Sequence, residues 1–300
     1  MRAPRVLCAG LVTLDVMQTV DVLPRSNVKQ TALDSTVDYG GPAASAAGVA
    51  AGLGADARLL TAVGTGPMEG AVAAYLARAG VHTVDLAPDA ERPFGISTVL
   101  VEEGTGLRAV LSTNARAVLL DLALGVRQVA WADAVLVDGH RMELCLAVAE
   151  AARAAGVPVV FDGGSWKPGT DELVRRVDVA VVSADFRVPS GTLAELMRDA
   201  GVTAFGQSLG ERPWELEVAG ERHVVPVVEV PEAEVVDTVG AGDVLHGALA
   251  YGVARWGLGR VVAAARFASA AASASCRAVG ARRWLADPGL VAGLPQVDDA

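Results

Sequence analysis

The sequence is poor in cysteine, histidine and aromatic residues. Its 300 residues include three cysteines and four histidines, and aromatic residues make up 4%. Cys8, Cys145 and Cys276 are odd in number and fit no metal-ligand spacing, which argues against a disulfide framework and predicts buried thiols in a reducing cytoplasm. The histidines also lack metal spacing, so we expect no zinc site.

Long apolar runs and excess positive charge are missing as well. Gly, Asp or Arg interrupts every apolar stretch before the roughly 18–20 residues of a membrane span, and residues 6–10 are too short for a signal peptide. The formal net charge is −10, which disfavours nucleic-acid binding through a basic face. We therefore expect a cytoplasmic protein that binds neither membranes nor nucleic acids.

The composition instead supports a large core, with 52% hydrophobic residues. Short β-branched runs alternate with Ala-rich helical patterns, most clearly over residues 134–162. This alternation predicts a doubly wound, mostly parallel sheet with helices on both faces. No interdomain linker is visible, so we predict a single domain over residues 1–300.

Two segments, residues 12–39 and 94–113, break this alternation. Both have extended, hairpin-like patterns, and the second contains a turn at residues 102–106. Neither segment brings a helix of its own to cover a sheet. We therefore predict a small β-sheet lid that covers a site or pairs with another chain, which would give a homodimer through the lid.

The strongest motif is Val-Val-Asp-Thr-Val-Gly-Ala-Gly-Asp-Val-Leu-His-Gly-Ala at residues 235–248. Gly240, Ala241 and Gly242 let the backbone approach a ligand, and free N–H groups at a helix start attract anions. Asp243 in the first turn is placed to accept a proton from an attacking hydroxyl. On the residues alone, the alternative that Thr238 or the preceding aspartate merely caps a helix stays open.

The segment Asp-Thr-Val-Gly-Ala-Gly-Asp at 237–243 resembles the C-terminal signature of the ribokinase-like PfkB family. Gly-Gly-Pro-Ala-Ala at 40–44 resembles its first signature, and the similarity extends over essentially the whole chain. The resemblance implies a doubly wound α/β domain with a β-sheet lid, and transfer of the γ-phosphoryl group of ATP, with Mg²⁺, to a sugar hydroxyl. Ketohexokinase-like and sulfofructose-kinase-like members are the most similar branches, and dependence on K⁺ stays open.

The resemblance also implies residue roles. Asp243 would be the catalytic base, and Gly240, Ala241 and Gly242 would form the anion hole. Candidate substrate-binding residues are Asp15, Gly40, Gly41, Ser45, Arg108 and His140. Candidate nucleotide-binding residues are Lys167, Ser208, Gly210, Thr238 and Gly242. For His140 and Lys167 the basis is position, because each follows a strand at the sheet edge where ligands of open α/β folds bind.

Some residues depart from the family pattern. Ser45 replaces a common Asn of the sugar site, which leaves the identity of the sugar open. Residues 183–186 lack the Asn and Glu of a motif that organises Mg²⁺, so either Asp185 substitutes or ATP itself holds the metal. His140 and Ser112 stand where a sulfonate-binding Arg and Asn would be expected, which argues against a sulfonated sugar. His246 either lines the site or packs within its helix.

We predict a carbohydrate kinase that acts on a ketose or related small polyol. A nucleoside kinase is one alternative, although Tyr39 and Phe94 are the only aromatic residues near the lid to stack a base. A kinase for phosphorylated sugars is another, with Arg25, Lys29 and Arg108 as the cations. A catalytically silent sugar-binding protein is the third.

Overall fold

The computed structural model describes residues 2–105, 107–113 and 115–297. Within them the strands, in chain order, are β1 (Arg5–Ala9), β2 (Thr13–Val20), β3 (Asp34–Gly40), β4 (Asp56–Thr61), β5 (Val81–Asp85), β6 (Gly95–Glu102), β7 (Arg108–Ser112), β8 (Ala134–Val137), β9 (Val159–Gly163), β10 (Val179–Val182), β11 (Ala204–Gln207), β12 (Trp214–Val218) and β13 (Glu221–Val225).

Nine of these strands form one large sheet in the order β13-β12-β11-β10-β9-β8-β1-β4-β5. Every pair from β11 to β5 is parallel, and β12 and β13 form an antiparallel hairpin at one edge. The chain fills one side of β1 first and the other side later. The carboxyl ends of β1 and β8 therefore flank a topological switch point, where ligands of open α/β sheets bind.

The α-helices are α1 (Pro42–Gly52), α2 (Pro67–Arg78), α3 (Leu122–Gln128), α4 (Met142–Ala155), α5 (Thr170–Val174), α6 (Leu193–Ala200), α7 (Ala241–Trp256), α8 (Val261–Ser275) and α9 (Pro288–Ala292). Two buried hydrophobic clusters lie on opposite faces of the large sheet, one packed by α1, α7 and α8 and the other by α4 and α6. The doubly wound α/β fold expected from the sequence is confirmed.

The remaining four strands form a separate small sheet in the order β3-β2-β6-β7. They come from the two segments that the sequence singled out, residues 12–39 and 94–113; residue 106 of the expected turn lies outside the described residues. Several large apolar side chains of this sheet are exposed, including Val37, Val110 and Leu111 at 41%, 56% and 69%. The lack of a covering helix layer explains why these side chains face solvent.

The structure also contains features that the sequence patterns did not predict. The β12–β13 hairpin extends the large sheet beyond its parallel part. Val235 and Val236, although β-branched, follow a short 3-10 helix at Glu232–Glu234 and form no strand. In the part of the chain that the structure describes, no helix has the length and apolarity to cross a membrane.

Candidate active site

The start of α7 has two glycines with different environments. Gly240 has a φ of 79°, in the left-handed region, and a Cβ there would lie 2.7 Å from the Cβ of Ala281. A side chain at this position is therefore opposed by both backbone conformation and packing. A Cβ on Gly242, in contrast, would meet nothing within 4 Å, so open space adjoins the helix start.

The first turn of α7 presents free hydrogen-bond donors to this space. Among the described residues, the N–H groups of Gly242 and Asp243 have no hydrogen-bond partner, and no side chain caps the helix. The first N–H groups of a helix lack intrahelical acceptors, and the helix dipole adds positive potential there. This end of α7 therefore has the properties of an anion-binding site.

The carboxyl group of Asp243 lies in the same turn. Burial raises its pKa to about 7, and the nearby Asp162 carboxylate acts in the same direction; His246, a hydrogen bond from Ser45 and the Arg282 guanidinium oppose the rise. A carboxyl group whose pKa lies near neutrality can take up a proton and release it again at physiological pH. Asp243 is therefore suited to act as a general base.

Asp243 borders a cavity of about 90 Å³ between α1, α7 and the small sheet. Asp15, Gly40, Gly41 and Ser45 line the same cavity, so the structure brings these expected residues together. Asp15 accepts a hydrogen bond of 2.7 Å from Thr13, and burial raises the pKa of its carboxyl group. A Cβ on Gly40 would overlap the Asp15 carboxylate, which explains the glycine at that position.

A buried carboxylate fixes the start of α1. Asp138, which follows β8, accepts backbone hydrogen bonds from Leu11 at 2.8 Å, Ala43 at 3.2 Å and His140 at 2.9 Å. Its side chain is buried, with 1% exposure. Asp138 therefore joins the switch point at β1 and β8 to the first turn of α1.

Arg282 is a residue of this cavity that sequence reasoning missed. Its guanidinium lies 3.7 Å from the ring centroid of Tyr39, donates to Asp38 at 2.7 Å and donates to Ser45 at 3.3 Å. These contacts tie the small sheet to α1 and place a positive charge near Asp243. No local sequence signal marks Arg282, because its main partners lie more than 230 residues away.

A larger cavity of about 460 Å³ adjoins the first and holds Arg108 and Thr238 in its lining. The two cavities share Met17, Thr36, Val239, Val279 and Arg283. The acidic residues that line the larger cavity outnumber its two arginines; they are Asp34, Glu102, Glu103, Glu232 and Asp237. Arg108, the first residue of β7, thus lines the larger cavity and not the one that Asp243 borders.

Four other expected residues lie at or just beyond the carboxyl ends of parallel strands of the large sheet. His140 follows β8, Lys167 follows β9, and Ser208 and Gly210 follow β11. The Lys167 ammonium lies 3.2 Å from the Ser165 hydroxyl, and Ser208 donates its N–H to Val182. None of the four lines either cavity, so their proposed ligand contacts remain predictions.

The residues around the site do not form a metal cage. No group of three or more His, Cys, Asp or Glu side chains within residues 2–105, 107–113 and 115–297 is arranged to hold a metal ion. Asp185, the carboxylate left in the altered motif, is exposed.

Comparison with known proteins agrees with the fold and the signature residues. The sequence model of the pfkB family of carbohydrate kinases matches residues 3–185 and 216–287. The matched parts include both glycine-rich helix starts and the small sheet. The chain therefore belongs to the pfkB carbohydrate kinase family.

Individual relatives are more distant. A ribokinase of Arabidopsis thaliana is 32% identical over 146 residues, which cover 45% of this chain and 38% of that protein. An ATP-dependent ribose-1-phosphate kinase of Halopiger xanaduensis is 29% identical over 160 residues, covering 53% of this chain and 54% of the relative. The matches thus span about half, or less, of the length of these curated relatives.

A solved structure shows the same fold over nearly the full length. The structure of Arabidopsis thaliana ribokinase complexed with ribose and ATP superposes with a TM-score of 0.72 and covers 97% of this chain and 99% of that one, at 22% identity. At this identity, the similarity establishes the ribokinase-like fold: a large mixed sheet flanked by helices and a smaller separate sheet.

Proposed function

We propose that this protein is an ATP-dependent kinase that phosphorylates a hydroxyl group of a ketose or related small polyol. The observation that carries the proposal is the start of α7. There the N–H groups of Gly242 and Asp243, which have no partner among the described residues, stand beside a carboxyl group whose pKa is about 7. Donors for a phosphoryl group and a base for its acceptor are thereby held in one helical turn.

In the proposed reaction, Asp243 accepts the proton of the acceptor hydroxyl. The hydroxyl oxygen forms a bond to the γ-phosphorus of ATP while the bond to the β–γ bridging oxygen breaks, and ADP leaves with that electron pair. The N–H groups of Gly242 and Asp243 stabilise the charge on the transferring phosphoryl oxygens. Mg²⁺ would arrive with the nucleotide and neutralise phosphate charge, and whether K⁺ is needed stays open.

Asp15 and Ser45 would orient the acceptor in the 90 Å³ cavity, because both lie on its wall with polar side chains. The excess of carboxylates in the adjoining cavity disfavours a phosphorylated sugar and supports a neutral acceptor. The small sheet would act as a lid that excludes water from the reacting groups.

The exposed apolar side chains of the small sheet also support pairing of two copies of the chain through this surface. Light scattering at micromolar concentration would test this part of the proposal, since a monomer would contradict it.

The function is tested by measuring ADP release from MgATP with ketoses, aldoses, nucleosides and phosphosugars in parallel. We expect stimulation by a ketose or small polyol, and loss of that stimulation in Asp243→Asn. Stimulation by nucleosides or phosphosugars alone would replace the proposed substrate class. Activity that survives in Asp243→Asn would contradict the assigned base, and no stimulation by any compound would favour a silent sugar-binding protein.

A further inference from the structure

A buried histidine and a buried aspartate contact each other next to the first turn of α7. His246 is one helical turn after Asp243 on α7, and Asp162 is on β9. Their side chains are 4% and 7% exposed, and Nδ1 of His246 lies 3.3 Å from Oδ2 of Asp162. Neither residue lines the candidate cavities.

The hydrogen bonds of His246 define its protonation state. Nδ1 lies 2.7 Å from the carbonyl oxygen of Gly242, and Nε2 lies 2.8 Å from the carbonyl oxygen of Val181. A carbonyl oxygen only accepts hydrogen bonds, and a neutral imidazole has a single N–H. Both contacts are therefore satisfied only when both ring nitrogens carry a proton.

A buried imidazolium needs a compensating charge. Asp162 can supply it, because its Oδ2 faces Nδ1 of His246 and has no hydrogen-bond partner among the described residues. Without the imidazolium, this buried carboxylate would face no positive charge across that gap. An ion pair between His246 and Asp162 thus accounts for the burial of both groups.

The His246 contact reaches the phosphoryl donors through one peptide group. The carbonyl of Gly242 and the N–H of Asp243 belong to the same planar peptide. A hydrogen bond from His246 to that carbonyl fixes the peptide plane and polarises the N–H on its other side. The positive ring therefore acts on the anion site without touching a ligand.

We propose that His246 and Asp162 form a permanent buried ion pair that positions and polarises the catalytic turn of α7. The proposal makes both residues positioning residues of the reaction, and it rests on the proposed kinase function for its catalytic meaning. The existence of the ion pair is a separate structural claim that does not require a substrate.

Several other charged or polar groups also influence the pKa values of the carboxyl groups in this region. Asp138, His140 and Lys167 influence the pKa of Asp162, whereas Ser45 and Arg282 influence the pKa of Asp243. Burial raises the pKa of Asp162, and His246 is the largest influence that lowers it. Asp162 raises the pKa of Asp243 more than His246 lowers it. Removing Asp162 should therefore lower the pKa of Asp243, and removing His246 should raise it.

The first test is ¹⁵N NMR of the four histidine side chains between pH 6 and 8.5, with His246→Gln used to assign the His246 signals. We expect both ring nitrogens of His246 to carry a proton at pH 7, as its two carbonyl contacts require. An unprotonated ring nitrogen on His246 at pH 7 would overturn the ion pair, whether or not the protein turns over ATP.

The second test follows the Asp243 carboxyl carbon by ¹³C NMR, with Asp243→Asn used for its assignment. His246→Gln should raise the titration midpoint of Asp243 and Asp162→Asn should lower it, each by about one pH unit. His223→Gln, on β13, is the matched control and should leave the midpoint in place. If the titration midpoint of Asp243 were the same in all variants, His246 and Asp162 would only contribute packing and the positioning role would be wrong. This outcome does not depend on whether a sugar substrate is found.

Discussion

The helices α1 and α7 both begin after a glycine at the edge of one cavity, yet their first turns differ. At α1, Pro42 has no N–H, Ala43 donates to the buried Asp138 carboxylate at 3.2 Å, and Ala44 donates to the carbonyl of Leu11. At α7, no side chain caps the turn, and the N–H groups of Gly242 and Asp243 are free among the described residues.

This difference separates a structural helix start from a reactive one. The protein satisfies the donors of α1 internally with the Asp138 carboxylate and the Leu11 carbonyl, so that end has little left to offer a ligand. The donors of α7 stay open because Asp243, although in the first turn, lies along the cavity wall. A glycine-rich helix start is thus an anion site only when no internal acceptor has filled it.

The largest expected effect comes from removing the base of α7. Asp243→Asn should lower kcat by roughly 10² to 10⁴, the usual contribution of a general base, while the fold persists. Steady-state kinetics measures the loss, and a thermal melt at pH 8 provides the control. Because the folded protein resists ionising this carboxyl group, the variant should melt at least as high as the wild type above pH 7; a clearly lower melting temperature would mean that Asp243 is mainly structural.

A second change would give α7 the internal acceptor that α1 has. Gly242→Asp fits the open space at that position and would place a carboxylate at the free donors. We expect kcat/KM for ATP to fall by up to about 30-fold, since a charge at a helix end is worth up to about 2 kcal/mol. Gly242→Asn is the matched neutral control, and an equal loss in both variants would attribute the effect to size instead of charge.

The sequence predicts the part of this comparison that depends on local pattern. Gly-Gly-Pro at 40–42 and Gly-Ala-Gly-Asp at 240–243 mark both helix starts, and the alternation of strands and helices gives the layered fold. These features follow from the conformational preferences of neighbouring residues. They identify the starts of both helices as candidate binding sites. They do not show that the donors of α1 are satisfied internally whereas those of α7 are free.

The distinction depends on contacts between residues far apart in the chain. Asp138 bonds to Leu11 across 127 positions, and Arg282 bonds to Asp38 across 244. Strand order and helix packing create these neighbours, so no spacing rule reports them. For the same reason Asp162 and His246, 84 positions apart, could not be recognised as a pair, although both residues were visible beside predicted site elements.

The counterpart of the first prediction concerns α1. Asp138→Asn should lower the free energy of unfolding by about 1–3 kcal/mol, because an amide has only one acceptor oxygen and its NH₂ group cannot accept the remaining backbone N–H. Urea unfolding at pH 7 measures this change beside Asp243→Asn, for which no comparable loss is expected. If Asp138→Asn were as stable as the wild type and lost only activity, the structural role assigned to the Asp138 carboxylate would be wrong.

The smallest expected effect concerns the hydroxyl that links the two helix starts. Activity of the wild type should fall about tenfold per pH unit below the Asp243 pKa of about 7, because the protonated carboxyl cannot act as a base. The Ser45 hydrogen bond lowers that pKa, so Ser45→Ala should move the acidic limb of kcat/KM to higher pH by less than about one unit. Ser269→Ala, which removes a buried hydroxyl of α8 that donates to Pro226, should leave the limb unchanged. A shift toward lower pH in Ser45→Ala would show that the hydroxyl does not stabilise the Asp243 carboxylate, and the polar connection from α1 to α7 would then have no part in tuning the base.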